Sequence, residues 1–585
     1  MGRLSSFLNV ITPGIIYQHS AIFTYACFRE LMWVTIFDPE FYTLLNSLRV
    51  PKFSLCYMFR LITLFKIQPV VYLLVFYFFT QVAALAQPAS PKREFRAVWI
   101  ASVANIDWPA QKGLSTEAQQ NAFKSILDEH QKNGMNAVIV QIRPAADALY
   151  RSQLEPWSEW LTGKQGKELS SPYDPLDFML AQSHQHGMEF HAWFNPYRAT
   201  FDAKAVTAPD HITRRKPEWF IKYDGKLLFN PGIPEVRTYI TSVIMDVVRR
   251  YDIDGVHFDD YFYPYPVANT SFSDDSTFTR YHNGFRNKND WRRNNVDLLI
   301  KGIADSINAV KPYVKFGISP FGVWKNKAED PAGSATRAGA PTYSTLYADT
   351  RKWMQLGWID YLAPQVYWHI GHKAADYKTI VEWWSLNSFN RHLYIGHSAY
   401  KVGTDANAAW HDPNEIPRQL RLNRSLPAVG GSVYFSSKSV LKNTNHMQDS
   451  LRASYYKYPA LVPLMDWKKA RPLPPTTIVR AQQTTKGVYL QWQPIADARY
   501  YLIYRFEKDS FCDTPIWNKQ FWEPFQAELN NPARIVAKVF SDTRYLDVAP
   551  LEEGKYTYVI TALDRLQNES APSQAVTLKY KKYNL

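Results

Sequence analysis

Between residues 95 and 456, short apolar runs alternate with stretches of helical periodicity, and the alternation recurs eight times. A strand followed by a helix, repeated eight times, is the pattern of a TIM (β/α)8 barrel, so the sequence predicts an α/β fold of that kind. A doubly wound parallel sheet is the alternative, but no glycine-rich phosphate-binding turn follows the first strand. The predicted strands cover residues 95–101, 137–142, 189–194, 255–258, 315–319, 361–367, 393–398 and 432–436, and the predicted helices cover residues 116–132, 175–186, 235–251, 295–310, 347–356, 377–384, 416–423 and 440–455.

The chain changes character near residue 473. Helical periodicity stops after a predicted linker over residues 457–475, which ends in two prolines, and short alternating runs follow it. This pattern predicts a small all-β immunoglobulin-like sandwich over residues 476–581, and it resembles a fibronectin type III domain. Trp492 stands where such a domain has its core tryptophan, and Tyr556 or Tyr558 stands where it has its tyrosine corner. We expect no catalytic part for this domain.

Residues 58–86 have the layout of a secretory signal: basic residues, an apolar run and small residues before an expected cleavage between Ala86 and Gln87. The apolar run, interrupted by Gln68 and Pro69, is short for a membrane span, and an uncleaved anchor is the alternative. We therefore expect export to the periplasm or the medium, without stable membrane insertion after cleavage. Residues 1–57 lack helical or strand periodicity and are interpreted as a mis-annotated upstream extension, with Met58 as the true start.

Composition narrows the class of partner. The formal net charge is +14, but lysine and arginine are scattered, and no basic run or nucleic-acid motif is present, so a nucleic-acid partner is not expected. Aromatic residues make up 15% of the chain, with 19 Trp and 37 Tyr, which favours a carbohydrate because sugar rings stack on such side chains. Only Cys512 follows the signal, so we expect neither a disulfide framework nor a cysteine metal site. We expect a monomer that binds a polysaccharide.

The stretch DGVHFDDYFYPYP, residues 254–266, is an apolar run that ends in two adjacent carboxylates and an aromatic loop. Because side chains alternate along a strand, His257 and Asp259 are expected to share the face toward the barrel axis, with Asp260 at the rim. Asp259 is our candidate for an essential carboxylate, although a structural ion pair is the alternative. Glycoside hydrolysis needs a second acid, and the loop after the second strand offers Glu155 and Asp147. Glu155 is preferred because its apolar neighbours could keep it protonated, while the alternative for Glu155 is a surface acid.

Polar and aromatic side chains follow most of the predicted strands, as a polyhydroxylated substrate requires. Arg143 and Arg198 could instead fix loops or pair with carboxylates. His257 could be a core residue whose hydrogen bonds are all made inside the protein. His191, His257 and Asp259 form no tight ligand motif, so we expect no metal and no cofactor. The candidate substrate-binding residues are Arg143, Trp157, Asn195, Tyr197, Arg198, His257, Tyr261, Gln365, Tyr367, Trp368 and His397; Gln141, Ser319 and Ser436 end further strands.

Several long motifs occur in order: FRAVWIASVANIDWP, RPAADALYRSQLEPWSEWLTG, HAWFNPYR, GVHFDDYFYPYP and PQVYW. Over roughly residues 94–456 they resemble the glycosyl hydrolase-like family 10, a group of secreted TIM-barrel proteins. The family includes an enterobacterial lipoprotein that cuts peptide-free peptidoglycan glycan strands. The resemblance implies a similar envelope activity here, although this chain lacks the cysteine of a lipoprotein signal.

Together these observations predict an exported glycosidase that cleaves O-glycosidic bonds in a polysaccharide through paired carboxylates. Peptide-free peptidoglycan glycan is the expected substrate. A hydrolase of dietary or host polysaccharide and a non-catalytic glycan-binding protein with a degenerate barrel are the alternatives.

Overall fold

Eight parallel strands of the described chain close into a barrel, in which each strand pairs with its neighbours in chain order and β8 pairs with β1. The computed structural model describes residues 90–170, 172–507, 525–549 and 552–581. The predicted upstream extension, the predicted signal and all three cysteines lie outside these residues. The barrel strands are β1 (Phe95–Ile100), β2 (Ala137–Arg143), β3 (Glu189–Phe194), β4 (Gly255–Phe258), β5 (Lys315–Ile318), β6 (Tyr361–Leu362), β7 (His392–His397) and β8 (Val429–Tyr434).

The closed barrel confirms the predicted TIM fold and rules out the doubly wound sheet. Parallel strands that are covered on both faces read as continuous apolar runs, and every residue of β1 and β2 is buried. The barrel interior is packed rather than open. At Gly317 an added Cβ would lie 1.9 Å from the ring of Tyr361, so only glycine lets that ring cross the barrel.

Helices surround the barrel and bury one face against it. In the helix Pro234–Arg250, buried Val236, Ile240, Ile244 and Val247 recur every three or four residues. Proline at its first position and arginines in its last turn favour these ends. The described α-helices are Thr116–Lys132, Glu159–Thr162, Pro175–Gln185, Ile212–Arg215, Pro234–Arg250, Asp275–Tyr281, Lys288–Val310, Thr342–Thr345, Thr350–Gln355, Tyr377–Leu386, Glu415–Ser425, Ser437–Leu441 and Met447–Ser450. Within the described residues, no helix combines the length and the apolar character needed to cross a bilayer.

The predicted elements that differ most from the structure are one strand and one helix. The strand predicted over residues 361–367 ends at Leu362, because Pro364 has no N–H to continue the ladder; Gln365 then makes only isolated bridges. The helix predicted over residues 440–455 is broken into short turns. Asn443, Asn445 and His446 have positive φ there, a conformation that ends a right-handed helix.

A small antiparallel sheet that the sequence analysis missed lies between β3 and β4. Its strands are Arg198–Thr200, Phe220–Tyr223 and Lys226–Phe229, with the last in the middle. Arg198 pairs with Leu228, so this sheet fixes the backbone of Arg198 at the edge of the barrel opening.

The C-terminal domain contains two antiparallel sheets within the described residues. One has three strands in the order Ile478–Thr484, Gly487–Trp492 and Arg544–Asp547, and the other has four in the order Ile535–Phe540, Tyr500–Glu507, Gly554–Leu563 and Val576–Tyr580. Trp492, Leu490, Tyr501, Ile503 and Ile560 pack between them. The strands are β9 (Ile478–Thr484), β10 (Gly487–Trp492), β11 (Tyr500–Glu507), β12 (Ile535–Phe540), β13 (Arg544–Asp547), β14 (Gly554–Leu563) and β15 (Val576–Tyr580).

The predicted tyrosine corner corresponds to a contact in this domain. The Tyr556 hydroxyl donates a hydrogen bond of 2.8 Å to the carbonyl of Glu552, four residues upstream. The all-β class is confirmed, and the assignment to fibronectin type III stays a prediction that this contact supports.

The C-terminal domain packs on the barrel at the N-terminal ends of the barrel strands. Arg499 donates to the carboxylate of Asp252 at 2.6 Å, and Lys538 donates to the carbonyl of Gly187 at 2.9 Å. The predicted linker lies along the same face, where Trp467 donates to Asp360 at 2.7 Å. These contacts lie at the end of the barrel opposite the residues that follow the strands.

Candidate active site

Asp259 and Asp260 directly follow β4 at the C-terminal end of the barrel. Their side chains are 5% and 6% exposed. Burial, and next the charge of Asp260, raises the pKa of Asp259 to about 7, while Arg198 and a hydrogen bond from Asn195 oppose the rise. Burial also raises the pKa of Asp260, against hydrogen bonds from Tyr265 and Gln365. Both carboxyls therefore keep a proton more readily than a free aspartate does.

A chain of amides fixes Asp259 from three neighbouring strand ends. The Asn195 Nδ2 group, after β3, donates to Oδ2 of Asp259. Gln141, in β2, donates from Nε2 to Oδ1 of Asn195 at 2.6 Å. Its own Oε1 accepts from the backbone N–H groups of Ser102 and Val103, after β1, at 3.1 and 2.9 Å. Each amide therefore has its orientation set by the next, and the last one presents a donor to the carboxylate.

Aromatic side chains line the side of the pair toward β5 and β6. The Tyr265 hydroxyl donates to Oδ2 of Asp260. From Tyr265 the rings continue to Phe321 (centroids 6.4 Å apart), Trp368 (5.2 Å) and His372 (6.3 Å). All four side chains are partly exposed. We call this series the aromatic arm.

A second group of rings, near β7 and β8, borders the same opening. Tyr367 lies 5.9 Å from Tyr400 and 6.4 Å from Phe435. Burial, and then the nearby charges of Tyr400 and of Asp260, raises the pKa of Tyr367. Tyr367 thus lies within electrostatic reach of the carboxyl pair.

On the side of the carboxyl pair toward β2 and β3, cationic side chains lie over the aromatic rings. The Arg198 guanidinium lies 4.5 Å from the centre of the Tyr261 ring and 5.0 Å from that of Phe201. Phe201 packs on Trp160 at 5.8 Å, and the Lys112 ammonium lies 4.1 Å from the Trp160 ring. We call this series the cationic arm. Tyr261 is 43% exposed beside the pair, and burial raises its pKa to about 12.

Glu155 does not face Asp259 as an acid, and this expectation is corrected. Its carboxylate is fully buried and accepts two hydrogen bonds from Arg143, at 2.7 Å from Nε and 2.5 Å from Nη2. The Tyr239 hydroxyl donates to the same carboxylate at 3.3 Å. Neither oxygen is left to protonate a leaving group. Arg143 also donates to the carbonyl of Asn195 at 2.5 Å, so it fixes loops, which was the alternative considered for it, and does not bind substrate.

Asp147 is the other acid of that loop. It is 2% exposed, and burial raises its pKa to about 6, while a hydrogen bond of 3.2 Å from Gln165 opposes the rise. Trp157 nearby is partly exposed and packs on the hydrophobic core around the barrel. Within the described part of the chain no hydrogen bond joins either residue to Asp259 or Asp260, so their predicted roles stay predictions.

Three predicted substrate-binding residues are core residues. His257 is fully buried inside the barrel, where it bonds with the Tyr361 hydroxyl at 2.9 Å and with Ser319 at 3.0 Å, and burial keeps its pKa well below the usual value. His397 points outward to the helix layer and bonds with Gln419 at 2.8 Å. Tyr197 is 2% exposed. None of them has surface to offer a sugar, so these three expectations are corrected.

Comparison with known proteins decides the family. A family profile described as Glycosyl hydrolase-like 10 matches residues 94–412. Glycosyl hydrolase YngK of Bacillus subtilis (strain 168) is 46% identical over 500 residues, which cover 84% of this chain and 94% of that protein. The chain belongs to the glycosyl hydrolase-like 10 family.

Further similarities extend over less of the chain. Glycosyl hydrolase DigH of Escherichia coli (strain K12) is 39% identical over 364 residues, covering 58% of this chain and 82% of that protein. Among solved structures, the glycoside hydrolase domain of PgaB (BpsB) from Bordetella bronchiseptica shares 12% sequence identity at a TM-score of 0.37, covering 62% of this chain and 98% of that domain. That score is too low to bear on the fold or the function.

Asp107 of this glycosyl hydrolase-like 10 member was not predicted as a site residue. Its carboxylate accepts from the backbone N–H of Ala101 at 2.8 Å and from the Ser436 hydroxyl at 2.7 Å, so it joins the end of β1 to the end of β8. Burial raises its pKa. The sequence did contain an indication of this role, because Asp107 follows the first strand in the motif FRAVWIASVANIDWP.

Tyr265 and Phe321 of the aromatic arm were also missed, although Tyr265 lies in the aromatic loop after Asp260. Within the described residues, no group of three or more histidine, cysteine, aspartate or glutamate side chains is arranged to hold a metal ion. The Asp259 and Asp260 carboxyls, with their raised pKa values and the cationic and aromatic arms beside them, are groups able to transfer a proton.

Proposed function

We propose that this family member is an exported glycoside hydrolase that cleaves O-glycosidic bonds within peptide-free peptidoglycan glycan strands. The observation that carries the proposal is the carboxyl pair Asp259 and Asp260, buried at the barrel opening with raised pKa values between two walls of rings. In this proposal Asp259 passes its proton to the glycosidic oxygen as the bond from that oxygen to the sugar carbon breaks. Asp260, which accepts a hydrogen bond from Tyr265, is the ionised partner that takes a proton from a water molecule as the water oxygen bonds to the same carbon.

The raised pKa suits a proton donor. A catalytic acid works best when its pKa lies near the working pH, because it is then protonated yet still able to release the proton. Burial beside a second carboxyl is a known way to bring a carboxylic acid to that point. Asn195 fixes the direction of the Asp259 carboxyl, as a donor that must meet one oxygen atom of the substrate requires.

The arms support a polymeric substrate. Rings extend from the pair on both sides, through Tyr265, Phe321 and Trp368 on one and through Tyr261 and Trp160 on the other. Aromatic faces bind the apolar faces of successive sugars. Peptide-free peptidoglycan glycan is proposed because the chain shares long motifs with a family that includes such an activity, and export because residues 58–86 have the layout of a secretory signal.

A glycan panel tests the proposal. Purified protein is incubated with peptide-free peptidoglycan glycan, peptide-bearing peptidoglycan, chitin and plant and host polysaccharides, and new reducing ends are counted. We expect release from the peptide-free glycan, with oligosaccharide products that show internal cleavage. Release from a plant or host polysaccharide alone would assign the chain to a different substrate. The absence of release from every glycan would contradict the proposal that the protein is a hydrolase.

A second candidate is a glycan-binding protein without catalysis. The ion pair between Glu155 and Arg143 favours it, because the acid expected opposite Asp259 is not available there. The two candidates differ in a sedimentation assay with insoluble glycan. A binding protein would stay bound without product release, whereas a hydrolase releases soluble fragments and its Asp259→Asn variant binds without releasing them.

A further inference from the structure

Arg198 is an unusual cation in this site. It is partly buried, its Nη1 donates to the carbonyl of Pro144 at 3.3 Å, its side chain also hydrogen-bonds with Tyr261, and it forms no ion pair with any residue that the structure describes. A guanidinium removed from water without a carboxylate partner is costly. The charge of Arg198 lowers the pKa of Asp259 and of Asp260, so both carboxyls lie within electrostatic range of it, although neither forms a direct ion pair with it. The guanidinium therefore keeps hydrogen-bonding capacity for a ligand anion.

The surroundings of Arg198 hold its guanidinium in place. Its backbone is paired in the small sheet, with Leu228 as partner. Its guanidinium lies between the rings of Tyr261 and Phe201, at 4.5 and 5.0 Å. Contact with two rings fixes the plane of the group, and the planar fork of arginine matches a carboxylate through two parallel hydrogen bonds. A fixed guanidinium fork without a direct ion pair, at the edge of a cleft, is an arrangement that can recognise a ligand anion.

The two arms differ in charge, so a charged polymer would bind across them in one orientation. The cationic arm contains Arg198 and Lys112, whereas the aromatic arm from Tyr265 to His372 presents rings, and Lys401 beside His372 is paired with Asp405. Lys112 is already paired with exposed Glu159, so Arg198 is the cation left for a ligand. A polymer with a carboxylate on every second sugar would meet the cation on one side of the carboxyl pair and neutral rings on the other.

We infer that Arg198 forms a subsite for a sugar that carries a carboxylate, and that it selects peptidoglycan glycan by the lactyl carboxylate of N-acetylmuramic acid. The inference rests on the proposed function, because it names the feature of the substrate that the same site recognises. The sugar with the carboxylate lies on the cationic arm, next to the bond that Asp259 and Asp260 cleave. Glycans without a carboxylate bind the same cleft less tightly.

The experiment compares two substrates with one backbone. One is peptide-free peptidoglycan glycan, and the other is the same glycan after reduction of its lactyl carboxylates to alcohols. For the wild-type protein we expect kcat/KM to fall about tenfold to a hundredfold on reduction, the loss of a hydrogen-bonded charge pair, mainly through KM. The Arg198→Gln variant should cleave both substrates equally and as slowly as wild type cleaves the reduced one.

Two further variants keep the outcome interpretable. Arg198→Lys retains the charge without the fork and should recover part of the preference for the carboxylate. Arg480→Gln is the matched control, because Arg480 also lies over a ring, that of Tyr489 at 5.7 Å, but in the C-terminal domain, and it should keep the full preference. Circular dichroism and thermal melting confirm folding of each variant.

Three outcomes decide between the possibilities. Equal cleavage of both substrates by Arg198→Gln supports the subsite. An Arg198→Gln variant that loses the same factor on both substrates, with a shifted pH profile, would overturn it and leave Arg198 as a residue that tunes Asp259. Failure of the wild-type protein to cleave either substrate would instead contradict the proposed function.

Discussion

Asn195 donates a hydrogen bond to Oδ2 of Asp259, and the amide of Asn195 is itself oriented by Gln141. The hydrogen bond stabilises the ionised form, so it lowers the pKa of Asp259 against the larger effect of burial. The same bond sets where a proton on this carboxyl can point. Loss of the bond should therefore change both the pH dependence and the rate.

The Asn195→Ala variant should move the alkaline limb of the pH profile upward. Without the hydrogen bond the pKa of Asp259 rises above about 7, so the protonated acid persists to higher pH. At the same time kcat should fall, by up to about a hundredfold, because the carboxyl is no longer held in position. The pH dependence of kcat/KM measures this. Gln141→Leu, which retains Asn195 but frees its amide, should give a smaller shift, and a limb that moves to lower pH in Asn195→Ala would contradict the account.

The Asp259→Asn variant should be more stable than wild type above pH 7. The folded-state pKa of Asp259 is about 7 against an ordinary value of 3.8, so the folded protein binds the proton more tightly than the unfolded chain. The resulting cost is fully present above pH 7 and disappears as the pH falls toward 4, with an upper bound of about 4 kcal/mol. Chemical denaturation at pH 8 and pH 4.5 measures the difference. A stability gain that does not depend on pH would show that the pKa of Asp259 is not raised.

Glu155→Gln should destabilise the fold rather than remove a catalytic acid. Breaking a buried ion pair leaves the guanidinium of Arg143 without its partner, at a cost of about 3 to 5 kcal/mol. The double variant Arg143→Met with Glu155→Leu should recover part of the stability, because both charges are then absent. Denaturation curves of the three proteins provide the measurement. A Glu155→Gln protein with wild-type stability and no activity would return Glu155 to the role of acid.

Gly317→Ala should strongly disturb the barrel interior. The added Cβ would lie 1.9 Å from the ring of Tyr361, which bonds with both His191 and His257 and cannot move without breaking those contacts. Overpacking of this kind costs about 1 to 3 kcal/mol or more. Gly339→Ala is the control, because nothing lies within 4 Å of its added Cβ. Equal melting temperatures for the two variants would contradict the packed interior.

The barrel could be predicted because its strands are covered on both faces and thus read as apolar runs separated by helical periods. Because of the same property, the sequence does not show to which face of a strand each side chain points. His397 lies on the face of β7 that Leu393 and Ile395 turn to the helices, while Tyr394 points inward. A strand that is apolar on both faces does not show which alternate set points inward, so the sequence could not place His397.

The sequence could predict the site residues that directly follow a single strand. It could not predict those whose role depends on contact between two separate segments. Asp259 and Asp260 follow an apolar run directly, and their position needed no knowledge of other strands. Glu155 is different, because its partner Arg143 lies twelve residues earlier and reaches it only when the loop after β2 folds back. Apolar neighbours in sequence indicated a desolvated acid, but the structure adds a guanidinium that they do not reveal.

The most direct measurement is product release by carboxyl variants on the glycan that the wild-type protein cleaves fastest. Asp259→Asn and Asp260→Asn should each reduce the formation of new reducing ends by at least about a thousandfold while circular dichroism and glycan binding are unchanged. Release at the wild-type rate by a folded Asp259→Asn protein would contradict the assignment of the carboxyl pair as the catalytic centre.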